Sequence, residues 1–264
     1  MPWSFKTLLA EVASPGTLLV TLNRPDRANA FNTQMAEDLA SFFETIAIDA
    51  QEHRVIVLTG AGERAFCAGG DLKERNGMGN DAWFAQHQVY EQMTRAIVGC
   101  PLPLIGAING AAFGGGSELT ACCDFAFASA NAQFAQTEVK LGIIPGAGGT
   151  QLLTRAVGAR RAKELILSGR VFSAYEAHEW GLINAVLPAE DLLSYTLGIA
   201  EQIAANAPIA VHQAKRAIGG GEDLDLASGL AFEIECYNRT VNTNDRREGV
   251  RAFNEKRSPH FTGS

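Results

Sequence analysis

The stretch Leu104-Ile105-Gly106-Ala107-Ile108-Asn109-Gly110-Ala111-Ala112-Phe113-Gly114-Gly115-Gly116-Ser117-Glu118 decides the fold. Leu104 to Ile108 is a short, continuous apolar run, as expected for a buried strand of a parallel sheet. The strand feeds a glycine-rich turn, and the triplet Gly114-Gly115-Gly116 opens a helix. Strands that pass through such turns into helices build an α/β protein, and the strand-to-helix loops are where such folds place their sites.

Upstream, Val55-Ile56-Val57-Leu58 is a second buried run. It precedes another glycine turn, Phe66-Cys67-Ala68-Gly69-Gly70-Asp71. Leu8 to Val12 and Thr17 to Leu22 read as two strands around Ser14-Pro15-Gly16. Thr33 to about Ala50 reads as a helix, because Met35, Leu39, Phe42 and Ile46 recur on one face, and Asn32 or Thr33 can cap it. Asp81 to Val98 is also helical. The order strand–helix–strand–helix–strand implies right-handed crossovers and a mostly parallel sheet.

Downstream of Gly149 the chain is expected to be mainly helical. Ser173-Ala174-Tyr175-Glu176 fits a capping box. Asp191 to Asn206, Pro208 to Ile218, Asp223 to Val241 and Asp245 to Lys256 are helix candidates, with Pro208 suited to a first helical position. Gly219-Gly220-Gly221-Glu222 reads as a break. The expected division is an α/β core over residues 1–200 and a helical part over 201–264.

The 264 residues are 47% hydrophobic, enough for one large core. A formal net charge of −7 argues against nonspecific binding to nucleic acid or anionic membrane. Cys67, Cys100, Cys122, Cys123 and Cys236 are odd in number and show no C-x-x-C spacing, so a disulfide framework or zinc site is not expected. The N-terminus Met1-Pro2-Trp3-Ser4-Phe5-Lys6 lacks the pattern of a signal peptide. The expectation is a cytoplasmic protein.

The first N–H groups of a helix have no partner within it, and the dipole there favours negative charge. An oxygen that becomes anionic could be held at Gly114–Gly116, where glycine allows close approach. Taken alone, this triplet reads equally well as a tight packing turn, and so does Ala68-Gly69-Gly70-Asp71. Glu118 falls one helical turn after Gly115. Glu138 precedes the turn Pro145-Gly146-Ala147-Gly148-Gly149. Singly, the first is an acid favourable in a helix's first turn and the second a surface carboxylate. Together with the glycine turns they suggest acid/base chemistry beside a carbonyl held by main-chain donors.

Other chemistries fit less well. No P-loop spacing follows the first turn, and Gly146-Ala147-Gly148-Gly149 is not a dinucleotide fingerprint. Ser117 does not sit in G-x-S-x-G. His53, His87, His178, His212 and His260 are scattered and read as structural or solvated. No metal-ligand spacing occurs.

The combined pattern closely resembles the crotonase, or enoyl-CoA hydratase/isomerase, superfamily. The resemblance rests on Leu22-Asn23-Arg24-Pro25, Phe66 to Lys73, Asn109-Gly110 with Gly114 to Glu118, Cys123-Asp124, Glu138, Leu141 to Gln151 and Ala162-Lys163-Glu164-Leu165. It runs over nearly the whole chain in the right order. It implies a spiral of ββα units with a helical C-terminal oligomerisation part. It implies oxyanion N–H groups at Gly70 and Gly115, and catalytic glutamates at Glu118 and Glu138. The reaction implied is addition of water to a trans-2-enoyl-CoA, giving a 3-hydroxyacyl-CoA, with no metal and no cofactor beyond the CoA of the substrate.

The same resemblance implies CoA contacts from the backbone of Ala30 and Ala68 and from Lys73. Many relatives carry lysine where this chain has Asp26, and Arg27 stands next to that position. It further implies a homotrimer, or a hexamer built as a dimer of trimers, in which Phe253 and Lys256 of one subunit reach the CoA of its neighbour. Leu226, Leu230, Phe232 and Ile234 are the expected interface residues. The run Asp71-Leu72-Lys73-Glu74-Arg75 is similar to that of methylglutaconyl-CoA hydratases, which hints at a branched substrate. The alternative readings are an isomerase or CoA-thioester hydrolase on the same scaffold, or a noncatalytic acyl-CoA or RNA-binding protein. The stretch Arg75 to Val98 is expected to supply pocket residues.

Overall fold

The computed structural model describes residues 4–264; Met1, Pro2 and Trp3, where the N-terminal reading begins, lie outside the described residues. The chain opens with β1 (Leu8–Ser14) and β2 (Thr17–Leu22), an antiparallel hairpin whose second strand is almost wholly buried. Helix α1 (Thr33–Ile48) follows. The Asn32 side chain caps it by accepting from the Met35 N–H, and Met35, Leu39, Phe42 and Ile46 form its buried face as expected.

Three further turns of chain repeat one unit: a strand of a large sheet, a short strand of a small sheet, then helix. In the first, β3 (Val55–Gly60) leads to β4 (Ala65–Cys67), α2 (Leu72–Arg75) and α3 (Asn80–Val98). In the second, β5 (Leu104–Ile108) leads to β6 (Ala111–Phe113) and α4 (Gly115–Cys122). In the third, β7 (Phe125–Ser129) leads to β8 (Gln133–Ala135), a 3-10 turn at Glu138–Leu141, and helices α5 (Gly149–Val157) and α6 (Ala159–Ser168). Strands β2, β3, β5 and β7 pair in parallel, and so do β4, β6 and β8. This is the spiral of ββα units implied by the sequence. The glycine turns therefore do not connect large-sheet strands directly to helices. Each contains or follows a three-residue strand of the small sheet.

The chain then forms β9 (Phe172–Ser173), which joins the small sheet beside β8, and α7 (Ala174–Glu179). Ser173 and Glu176 make the expected reciprocal capping box. β10 (Ala185–Leu187) closes the large sheet beside β7. Two short strands therefore interrupt a region read from sequence as helical. Helix α8 (Ala189–Ala204) packs Leu192, Ala200 and Ala204 against the outer face of the large sheet, with Val55, Val57 and Ile105. Residue 200 falls inside this helix.

Helices α9 (Pro208–Gly221), α10 (Leu226–Val241) and α11 (Asn244–Glu255) complete the chain. The expected break at Gly219–Glu222 is displaced: Gly219, Gly220 and Gly221 are helical, and Asp225 caps α10 by accepting from the Ala227 and Ser228 N–H groups. The reason is visible at Gly220, where a Cβ would stand 2.5 Å from the Phe232 ring. Glycine lets α10 press onto the last turn of α9. Lys215 anchors α9 to the core through an ion pair with Asp124 (2.7 Å) and a bond to the Leu102 carbonyl (2.8 Å).

Candidate active site

The spiral brings the two glycine turns together. A Cβ on Gly116 would lie 1.9 Å from the Cys67 carbonyl oxygen, and one on Gly115 would lie 2.2 Å from the Phe31 ring. Helix α4 can begin this close to the first turn only because both positions lack side chains. The first turn is fixed from its other side. Phe31 and Gly70 form an isolated parallel bridge, in which the Phe31 N–H donates to Gly69 and the Asp71 N–H donates to Phe31. That pattern directs the Gly70 N–H away from Phe31. The Gly115 N–H is at the first position of α4, where no intrahelical acceptor exists. Among the described residues neither N–H has a protein acceptor.

Arg24 braces the arrangement. Its guanidinium pairs with Asp71 at 2.9 Å and also bonds the Ala30 carbonyl. Asp71 in turn caps α2 through the Lys73 and Glu74 N–H groups. Burial opposes ionisation of Asp71, but the Arg24 bond and these N–H groups together hold its carboxyl below the ordinary range.

Glu118 projects from the first turn of α4 and is 3% exposed. Its Oε1 accepts from the N–H groups of Ala147 and Gly149, each at 2.8 Å. The Pro145–Gly149 turn thus acts as a clamp on the carboxylate. Glu138 starts the 3-10 turn and is 8% exposed, so it is not the surface carboxylate that its local sequence suggests. Its Oε2 is buried with no hydrogen-bond partner. Such a group marks a place where a ligand or water belongs. Gly114, with φ at 51°, passes so close that a Cβ there would lie 2.9 Å from Glu138 Oε1.

Burial pushes the Glu118 carboxyl up to about 7, the charge of Glu138 adds to this, and the two N–H bonds and Arg75 oppose it. Burial likewise raises Glu138. Two carboxyls in mutual reach share protons as a pair. Hydrogen bonding distinguishes them: two backbone N–H groups from another turn favour the Glu118 anion, whereas Glu138 has only its own N–H. A pair holding one proton beside two free N–H donors can give a proton and take one next to an oxyanion. An open cleft of about 570 Å³, lined by Val157, Arg161, Glu164 and Trp180, has neither Glu118 nor Glu138 in its wall.

The other expected contact residues are more dispersed. Ala68 is exposed and its N–H is taken by the Ala28 carbonyl, leaving its own carbonyl free. The Ala30 N–H is taken by Arg27 and its carbonyl accepts from Arg24. Arg27 lies 3.4 Å from Asp26 in an exposed ion pair. Lys73 is exposed on α2. Phe253, near the end of α11, is 84% exposed, and Lys256 caps that helix in the left-handed region. Sequence reading missed the N–H clamp from Ala147 and Gly149, the bracing role of Arg24, and the ring of Phe31 against Gly115. The glycine-rich turn after Pro145 is the one signal that could have revealed the clamp.

A sequence profile of the enoyl-CoA hydratase/isomerase family matches residues 13–264. A short-chain-enoyl-CoA hydratase of Clostridium acetobutylicum is 39% identical over 239 residues, covering 90% of this chain and 91% of that protein. A mitochondrial enoyl-CoA hydratase of Pongo abelii is 39% identical over 268 residues, covering 98% of this chain and 88% of that protein. The crystal structure of an enoyl-CoA hydratase from Bacillus anthracis superposes with a TM-score of 0.96 at 44% identity, covering 98% of this chain and all of that one. The chain belongs to the enoyl-CoA hydratase/isomerase family.

Proposed function

We propose that this protein is an enoyl-CoA hydratase, adding water to a trans-2-enoyl-CoA to give a 3-hydroxyacyl-CoA. The observation that carries this reading is the buried pair Glu118 and Glu138 beside the unpaired N–H groups of Gly70 and Gly115. In this reading the two N–H groups hold the thioester oxygen as negative charge gathers on it. Glu118, its anion favoured by the Ala147 and Gly149 N–H groups, takes a proton from the water that attacks C3. The C2–C3 π electrons move toward the thioester carbonyl. Glu138, protonated at that moment, delivers its proton to C2 as the enolate collapses. The reverse reaction exchanges the roles. This chemistry asks for no metal or redox cofactor.

The CoA portion is assigned to the backbone of Ala68 and Ala30, with Lys73 and Arg27 near its path and Phe253 and Lys256 arriving from a neighbouring copy. Residues 201–264 serve assembly into a homotrimer or a dimer of trimers. The acyl-CoA is the partner, rather than nucleic acid or membrane, and the site of action is the cytoplasm. Among the described residues no helix is long and apolar enough to cross a membrane.

The test is product analysis by mass spectrometry with crotonyl-CoA and a 3-enoyl-CoA. The expected product from crotonyl-CoA is 3-hydroxybutyryl-CoA, one water heavier. Double-bond migration in the 3-enoyl-CoA without water uptake would assign an isomerase, and release of free CoA a hydrolase.

A further inference from the structure

His87, in the middle of α3, takes no part in the proposed hydration, yet its ring lies against the turn that clamps Glu118. A Cβ on Gly146 would stand 2.5 Å from His87 Cε1, 3.3 Å from Nε2 and 3.5 Å from Nδ1. These are the three atoms nearest to that point, so the ring fills the space that the missing side chain of Gly146 leaves. Gly146 immediately precedes Ala147, the first of the two donors to Glu118 Oε1. Two helical turns further along α3, on the same face, Thr94 meets the same turn. Its hydroxyl donates to the Tyr90 carbonyl at 2.8 Å, and its methyl lies 3.6 Å from where a Cβ on Gly148 would stand.

Helix α3 is itself fixed to the other glycine turn. The Tyr90 hydroxyl donates to the Phe31 carbonyl at 3.2 Å, and Phe31 bridges Gly70. The buried Gln86 amide donates to Thr33 and Glu74. One rigid helix therefore spans the oxyanion turn and the clamp turn. On the inner side of the clamp, the Cys122 thiol reaches the Ala147 carbonyl only at 3.9 Å, a weak bond. The ring of His87 makes no hydrogen bond to the turn among the described residues. Glu91, on the same helix, stands 3.8 Å from its Nε2, and Pro145–Gly149 carries no titratable side chain. The hold on Gly146 is one of shape rather than charge.

We propose that His87 is a positioning residue for Glu118: its ring seats Gly146 so that the Ala147 and Gly149 N–H groups stay aimed at the carboxylate. Hydrogen bonds weaken steeply as they bend, and both donors are main chain, so no side-chain rotation can correct a drift of the turn. Glycine at 146, 148 and 149 leaves that turn little stiffness of its own. The wall formed by α3 supplies the stiffness from outside. Truncating the ring opens a gap beside Gly146 and loosens the donors. The Glu118 anion is then less favoured, and the glutamate pair takes up its second proton at a higher pH. This inference rests on the two-glutamate reading and adds to it the element that holds the base in place.

The experiment measures kcat for crotonyl-CoA hydration against pH in the wild type, His87→Ala and His87→Phe, with circular dichroism as the check on folding. In His87→Ala the acid limb should move up by about 0.5 to 1 pH unit, which lowers kcat on that limb by about 3- to 10-fold and leaves the loss to close as pH rises. His87→Phe keeps a flat ring without a titrating group and should restore most of the limb. An acid limb in His87→Ala within about 0.2 unit of wild type overturns the proposal, whatever the rate at a single pH. A raised KM with kcat unchanged overturns it too, since that marks a substrate contact. So does a shift that His87→Phe fails to restore, because the effect would then belong to the polarity of the imidazole and not to its shape. A second arm needs no turnover. The Glu118 carboxyl, followed by carbon-13 NMR in glutamate-labelled protein and assigned by its loss in Glu118→Gln, should titrate at higher pH in His87→Ala than in wild type. If crotonyl-CoA is hydrated by none of these proteins, the hydratase reading fails, and the NMR arm still decides the role of His87: an unmoved titration overturns it.

Discussion

At Glu118 two physical effects oppose each other. Burial and the Glu138 charge disfavour its anion, while the Ala147 and Gly149 N–H groups favour it. The result is a carboxyl poised near neutrality, which a group that both gives and takes protons needs. Glu118→Gln and Glu138→Gln should each lower kcat for crotonyl-CoA hydration by about 10²–10⁴-fold with the fold intact by circular dichroism. Near-wild-type kcat in either variant would refute the two-glutamate mechanism. The same shift has a stability consequence. Glu118 titrates at 4.5 in its unperturbed state and at about 7 in the fold. Between those values the folded state holds more protons than the unfolded chain, so this contribution to stability falls as pH rises from below 4.5 through 7. Glu118→Gln lacks that titration. Its stability relative to wild type should therefore improve by on the order of 1–3 kcal/mol between pH 4.5 and pH 8, measured by urea denaturation. A difference that stays constant with pH would count against the shift. Both glutamates were legible from their glycine neighbours. The burial of Glu138 was not, because it depends on β8 lying beside β6, a pairing made between successive turns of the spiral.

The elements that sequence revealed best are those with a strong period or a long apolar run. β3 and β5 showed as buried runs, and α1 showed as a face. The small sheet did not show, because β4, β6 and β8 are three residues each and too short to display an alternation. Yet the small sheet sets the distance between the two glycine turns. This gives the turns unequal tolerance. At Gly116 an added Cβ would meet the Cys67 carbonyl at 1.9 Å, so backbone must move. At Gly70 the nearest atom to an added Cβ is the Arg75 side chain at 3.7 Å, an ordinary contact. Gly116→Ala should cost about 3 kcal/mol or more, whereas Gly70→Ala should cost no more than about 1 kcal/mol, in thermal or urea unfolding. Equal costs would mean that the turns do not pack as described. Proline at Gly115 would remove the proposed oxyanion N–H but would also drive its ring into Phe31, so loss of activity there would not isolate the donor.

At the scale of the molecule, the C-terminal helices present surface that one chain does not use. Leu226, Leu230, Ile234 and Tyr237 of α10 are all exposed, and their spacing places them on one face. Phe232, expected beside them, instead packs on Gly220 and under Arg216. A row of apolar side chains on a helix with only Cys236 buried is suited to a second copy of the chain. Light scattering should show a trimer or hexamer, and Leu230→Asp should shift it toward monomer. The same assembly is what would carry Phe253 and Lys256 to a neighbour's CoA. Both are exposed at the end of α11, with the ring free to stack on an adenine and the ammonium free to meet a phosphate. Lys256 sits at φ 53°, a conformation that alanine pays for as lysine does, so Lys256→Ala removes the charge with little change in backbone strain. It should raise KM for CoA thioesters by about 3- to 10-fold with little change in kcat, the signature of lost uniform binding. Because the contact crosses subunits, Leu230→Asp should raise KM as well, and adding Lys256→Ala to it should then have almost no further effect. Two fully additive losses, or a monomer with wild-type KM, would place Lys256 outside the CoA site.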